Sequence, residues 1–231
     1  MNSNKTTETD SEQKKRRVVV PGEIIISGED YLPSEGTRRE GNDILASRFG
    51  IAEEMGRVIK VMPVSGAFVP RRNQIVLGRV TDINHAGWLV DIDWASTAFL
   101  PLEASPRYVT KSEMDQYLNI GDVVMAKIWN VKAKGIDLSL EGNGLGRAEG
   151  GFMFKISTNR VPRVIGRDGS MVNLIKNKTS CDIAVAQNGW VWIKGQSVDS
   201  EIRARKAVEY VVDNFFVQGL TEKMEEWFNS N

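Results

Sequence analysis

The chain has 231 residues with 30 basic and 30 acidic side chains, which excludes a protein that is basic along its whole length and leaves any positive face to be local. One cysteine, Cys181, excludes an internal disulfide and a thiolate zinc cluster, and one histidine, His85, excludes a histidine-rich metal site. The apolar fraction of 41% suits a globular chain, and no run of about 18 apolar residues is present to span a membrane.

Residues 1–17 are polar and charged, lack the apolar centre of a secretory leader, and read as a disordered tail. Across residues 18–72, β-branched runs such as "VVV", "III" and "GRVIKVMPV" are broken by Gly and Pro with no sustained helical period. This reads as a small β domain of short strands. Residues 73–142 carry five strand patterns: "QIVLGRVTDI", "GWLVDI", "AFLPL", "GDVVMAKIWNV" and "GIDLSL". A short helix, "TKSEMDQYL", falls between the third and fourth, with Thr110 and Glu113 spaced as a capping box. Five strands with a helix at that place is the pattern of an OB-type barrel.

Residues 143–151 are a glycine-rich linker. They are no dinucleotide fingerprint, because no helix opens after them. Residues 152–231 read β-α-α-β-β-α with a helical extension. "FMFKIS" alternates, "NRVPRVI" and "SMVNLIKNKT" are helices, and "CDIAVAQ" and "WVWIKG" are strands joined at Asn188-Gly189, a hairpin signal. A long amphipathic helix follows, with Ile202, Ala207, Val208, Val211, Val212 and Phe215 at helical spacing. The expected fold class is multidomain α+β: a small N-terminal β domain, a five-stranded OB-type barrel and a C-terminal β-α-α-β-β-α module.

Gly166-Arg167-Asp168-Gly169 joins the two short helices of that module. Its end glycines carry no side chain to hold a phosphodiester away, and the helix starting at Ser170 offers amide donors and partial positive charge. From 155 to 180 the charges are Lys155, Arg160, Arg163, Arg167, Lys176 and Lys178 against Asp168 alone. Arg163, Arg167 and Lys176 are placed to supply counter-charge to a nucleic-acid backbone. Asp168 opposes it: a carboxylate about 4 Å from a phosphate costs on the order of 1 kcal/mol in well-solvated surroundings. Asp82, Asp91 and Asp93 cluster near the barrel, the last two read as sharing one strand face. No Glu/His set accompanies them, so no catalytic role, metal or cofactor is expected. Cys181 reads as a small buried hydrophobe.

On these motifs the chain resembles known families. Phe152 to Phe215 is similar to a type I KH domain, a family that clamps single-stranded RNA or DNA at its GxxG loop. Gln74 to Leu140 resembles the RNA-binding barrel of the ribosomal protein S-one type, through "GRVTDI", "GWLVDI", "AFLPLEAS" and "GDVVMAKIWNVKAKGIDLSL". Val18 to Pro70, with "VVVPGEII" and "RREGNDILASRFG", resembles the N-terminal β domain of exosome cap subunits. In this order the three resemble the RNA-binding cap subunits of the archaeal exosome.

That resemblance implies a cytoplasmic, non-catalytic subunit that binds single-stranded RNA. It implies a hexameric ring of phosphorolytic 3′-to-5′ exoribonuclease subunits as partner, capped by three copies of this subunit, alone or mixed with a second cap subunit. The N-terminal β domain would dock on the ring, the barrels would surround the pore and the KH domains would lie outside. RNA contacts are expected from Arg163, Gly166, Arg167, Asp168, Gly169, Ser170 and Lys176. In the barrel, the positions where the family stacks bases hold Ala86, Leu89 and Pro101, so His85, Trp88, Lys127 and Lys134 stand as the nearby candidates. The tryptophans at 94, 129, 190, 192 and 227 read as core or interface. Two alternatives share the modules: a transcription elongation factor with an S-one barrel before two KH modules, and a fragment related to polynucleotide phosphorylase, where KH precedes the barrel.

Overall fold

A computed structural model describes residues 16–63, 66–106, 109–132, 135–215, 217 and 219–230. Lys134, among the expected RNA contacts, and most of the expected tail lie outside the described residues. The chain divides into two compact units, one ending at Gly66 and one beginning at Ala67.

The first unit holds seven short strands: β1 (Arg16–Val19), β2 (Ile24–Ser27), β3 (Leu32–Pro33), β4 (Thr37–Glu40), β5 (Asp43–Ala46), β6 (Gly50–Met55) and β7 (Val58–Pro63). They form two sheets, ordered β1-β6-β7-β3 and β2-β5-β4. Arg16 and Arg17, in the tail by sequence, begin β1, and Arg17 pairs with Glu23 and donates to the Ile24 carbonyl at 2.7 Å. The core of this unit is small: Val19, Ala46, Ala52 and Val61 cluster with Ile25 against them, and Ile44, Leu45 and Ile59 are also buried. Val18, Val20, Ile24, Leu32, Phe49, Met55 and Val58 are exposed.

The second unit opens with β8 (Ile75–Asn84), β9 (Gly87–Asp91), β10 (Ala98–Pro101), the single-turn α1 (Met114–Tyr117), β11 (Val123–Lys132) and β12 (Gly135–Ser139). The order β12-β10-β9-β8-β11 closes through a β11–β12 pairing into a five-stranded barrel, with α1 between the third and fourth strands. The expected capping box is present: Glu113 accepts from the Thr110 amide at 3.3 Å and from its hydroxyl at 2.8 Å. Alternation along each strand fills the interior with Val76, Val80, Trp88, Val90, Ile92, Leu100, Val124, Ile128 and Leu138, and Met114 and Leu118 of the helical turn join that core. A short strand, β13 (Gly146–Arg147), forms within the glycine-rich stretch and pairs with β11.

The chain continues as β14 (Phe152–Lys155), α2 (Val161–Ile165), α3 (Ser170–Thr179), β15 (Asp182–Val185), β16 (Trp190–Lys194), α4 (Val198–Asp213) and α5 (Leu220–Ser230). The sheet order β14-β16-β15 is antiparallel throughout, the arrangement of a type I KH fold. Its core gathers Val164, Met171, Ile175, Ile183, Val191 and Ile193 with Ala204, Ala207, Val208 and Val211 of α4 and Leu220, Met224 and Phe228 of α5. Ile202 is 45% exposed and leaves the expected apolar stripe. The buried stripe of α4 runs 204, 207, 208, 211, and Ile202 stands two positions off it.

The turn of the β15–β16 hairpin docks on the barrel. The Asn188 side chain is fully buried and donates to the Leu77 and Ile92 carbonyls at 2.7 and 2.9 Å. Gln187 donates its amide to the Ile75 carbonyl, and its side chain accepts from the Ile75 amide at 2.7 Å. Among the described residues no helix is long and apolar enough to cross a membrane.

Candidate nucleic-acid interface

The turn between α2 and α3 is fixed by backbone conformation. Pro162 sits in the first turn of α2, where its missing amide proton costs nothing, and the helix ends after five residues at Gly166. Gly166 has φ 76° and ψ 177°, a region open only to glycine. A Cβ there would also lie 2.7 Å from the Met171 nitrogen and 2.8 Å from the Ser170 hydroxyl. Gly169 is left-handed, with φ 79°. Asp168 is left-handed too, with φ 50° and ψ 30°. This supplies a reason for the acid: of side chains other than glycine, Asp and Asn tolerate that conformation best. Arg167 and Asp168 are exposed, make no ion pair with each other, and Asp168 makes none with Arg163. Gly169 is the N-cap of α3 and no side chain caps the first turn. The Gly169 and Ser170 amides donate to the Gly166 and Arg167 carbonyls, and the helix start presents its partial positive charge to the turn.

The sequence grouped Arg163, Arg167 and Lys176 as counter-charge. The structure brings only the first two to the turn, where with Gly166 and Ser170 they line a cleft of about 310 Å³. Lys176 is half-buried six residues into α3 from Ser170, on the order of 9 Å along the helix. Arg163 donates to the Val217 carbonyl at 2.6 Å, and the guanidinium of Arg160 lies 2.8 Å from the centre of the Phe215 ring. Burial lowers the Arg160 pKa below its ordinary value. These two arginines therefore hold the segment leading into α5, whose first residues, Gly219 to Glu222, form the other wall of the cleft. A helical extension was legible in the sequence; its place beside the glycine turn was not.

The second surface is the barrel face on which OB folds bind oligonucleotides, the second and third strands with their flanking loops. Those strands are β9 and β10. His85 is exposed in the β8–β9 turn, at one border of the face. Trp88 is fully buried and its indole nitrogen donates to the Leu118 carbonyl at 3.0 Å, so it is a core residue with no face for a base. The outward partner pair is Leu89 and Phe99, cross-strand neighbours, with Phe99 half-buried over Gly87. Phe99 escaped the sequence reading, although strict alternation with Ala98 and Leu100 points it outward. Lys127 is half-buried on β11, two strands from β9.

The barrel acids are committed locally. Asp82 accepts from the Ile83 amide, Asp91 accepts from the Asp93 amide at 2.8 Å, and Asp93 pairs with Lys155. Asp91 and Asp93 do not share a strand face: β9 ends at Asp91, and Asp93 sits in a turn with φ 61°. Among the described residues no group of three or more His, Cys, Asp or Glu is arranged to hold a metal. Cys181 is buried in the KH core.

Comparison with known proteins matches residues 69–141 to the S1 RNA binding domain and residues 151–199 to the KH domain. The chain is 37% identical over 214 residues to exosome complex component Rrp4 of Methanothermobacter thermautotrophicus, covering 92% of this chain and 68% of that protein. It is 37% identical over 216 residues to the same component of Methanothermus fervidus, covering 93% and 96%. A crystal structure assigned as an exosome complex RNA-binding protein superposes with a TM-score of 0.62 at 30% identity, over 71% of this chain and 97% of that one.

Proposed function

The chain belongs to the Rrp4 family of exosome components, and on that premise we propose that it captures single-stranded RNA for a ring of 3′-to-5′ phosphorolytic exoribonuclease subunits without cleaving RNA itself. The observation that carries this reading is the turn at Gly166–Gly169. Gly166 accepts no ordinary side chain, Asp168 and Gly169 are left-handed, and Gly166, Arg163, Arg167 and Ser170 line an open cleft at the start of α3. A backbone phosphate fits such a turn by hydrogen bonds and charge and needs no base identity. Gly166, Arg167, Gly169 and Ser170 are the proposed contacts, with Arg163 at the cleft wall, Asp168 tempering the grip and Lys176 acting at longer range. On the barrel we assign contact to His85, Lys127 and Lys134.

In this reading three copies cap a hexameric ring in the cytoplasm, alone or mixed with a second cap subunit. The first unit supplies the docking surface, supported by the seven large apolar side chains exposed among its described residues. Weak RNA sites repeated around one pore gain by effective concentration, so each need bind only modestly. The elongation factor and the polynucleotide phosphorylase fragment are not favoured: relatives aligned over more than nine-tenths of this chain are exosome components. Affinity capture of the tagged chain followed by native mass spectrometry tests the reading. Recovery of phosphorolytic ring subunits, in a 6:3 ratio with this chain for an unmixed cap and with fewer copies of it for a mixed one, is the expected result; recovery of RNA polymerase instead would defeat it.

A further inference from the structure

Trp129, on β11, is exposed where Trp88 is fully buried. Residues 128 and 130 of β11 face consecutive residues of β12, Leu138 and Asp137, so Trp129 is the extra residue of a β-bulge. Alternation with buried Ala126 and Ile128 turns it outward, the bulge leaves it unpaired in the ladder, and the residue is 49% exposed. The guanidinium of Arg72 lies over it, 4.8 Å from the ring centre. The turn that carries Arg72 is built to hold that position. Gln74 accepts from the Arg71 amide through its side chain at 2.7 Å, and Asn73 is left-handed, with φ 68°. The Asn73 amide donates to the Ile128 carbonyl at 2.8 Å and the Ile128 amide donates to the Gln74 carbonyl at 2.8 Å, which ties the turn to the strand beside the bulge. Exposed surface aromatics are ordinarily left to move; this one is turned outward, stacked and pinned.

We propose that the Arg72–Trp129 stack is a nucleobase platform for single-stranded RNA, separate from the β9–β10 face. Bases stack on aromatic rings and on arginine planes, and a ring already paired with a guanidinium offers both with little left to order. The neighbouring charge suits a nucleic acid better than an apolar protein surface: Arg71 is exposed next to Arg72, Lys127 precedes the bulge, and the nearby acid Asp137 is neutralised by Lys132. The platform also answers the deficit on the usual face, where Ala86, Leu89 and Pro101 offer no aromatic ring.

The inference rests on the RNA-binding reading, and the test separates the two. Binding of a labelled 20-nucleotide oligoadenylate to the full chain at low salt is measured by fluorescence anisotropy, with thermal melting as a check on folding. Trp129→Ala is expected to weaken binding about five- to hundredfold with the melting temperature little changed, Arg72→Ala to weaken it less, and Trp129→Phe to retain most of the affinity. Trp129→Ala binding like the unaltered chain, while Gly166→Asp weakens it, would overturn the platform and leave the RNA-binding reading standing. The platform also fails if Trp129→Ala loses the ring subunits in affinity capture but keeps its RNA affinity, because the patch is then a protein contact. An unaltered chain that binds no oligonucleotide would overturn both.

Discussion

The KH turn and the barrel face are two candidate RNA surfaces in one compact unit, and they keep different things. The turn keeps backbone: Gly166 in a glycine-only conformation, Asp168 and Gly169 left-handed, and an uncapped helix start. The barrel face has side chains to offer and has lost the usual ones. Trp88 points into the core, Ala86 and Pro101 carry no aromatic ring, and Phe99 is half covered. The difference teaches that a phosphate grip made of amides and glycines is set by φ and ψ, whereas a base platform is set by which side of a strand an aromatic falls on. A one-residue change of register moves such an aromatic from surface to core.

Four substitutions break or sharpen that contrast. The largest effect is expected at Trp88. If its ring is core, Trp88→Ala lowers unfolding stability by about 3–5 kcal/mol in denaturant titrations; a loss of RNA binding with stability intact would return it to the binding face. Next is Asn188, whose side chain satisfies buried barrel carbonyls from the KH hairpin. Asn188→Ala strands those groups and is expected to cost about 3 kcal/mol, visible as a lower melting temperature. Gly166→Ala forces a side chain against the Met171 amide and into a region closed to alanine, at about 1–3 kcal/mol of stability. It is also expected to weaken RNA binding, which the Asn188 variant does only as far as it unfolds. The smallest effect is expected at Asp168. Asp168→Asn keeps tolerance of the left-handed conformation and removes the charge, so RNA affinity should rise by up to about fivefold at low salt and the gain should shrink as salt screens it. An unchanged dissociation constant at low salt would show that the carboxylate points away from the phosphate path.

Much of the fold was legible because its signals are local. Strand alternation, the Thr110–Glu113 box, Pro162 in a first turn and the Asn188-Gly189 hairpin each report on a few neighbouring residues, and each element formed where its pattern stood. The candidate site was less legible, because its decisive features are not local. Asn188 looked like a turn residue, yet its amide reaches Leu77 and Ile92, far away in sequence. Arg163 looked like counter-charge, yet it also holds the Val217 carbonyl and so the start of α5. Trp129 read as core or interface; alternation with buried Val124, Ala126 and Ile128 points it outward, and what the sequence hides is the Arg72 stack, which depends on a turn far away in the chain. Asp168 looked like an electrostatic error until its backbone angles were known.

In the proposed reading this chain supplies RNA to a nuclease and is not one. The most direct test is phosphate-dependent degradation of a 5′-labelled oligoribonucleotide by the purified phosphorolytic ring, with and without the full chain, beside the chain alone. The chain alone should leave the RNA intact, and its addition should raise the rate of the ring, with less stimulation from Gly166→Ala. Degradation by the chain alone, or a ring whose rate is indifferent to it, would contradict the account.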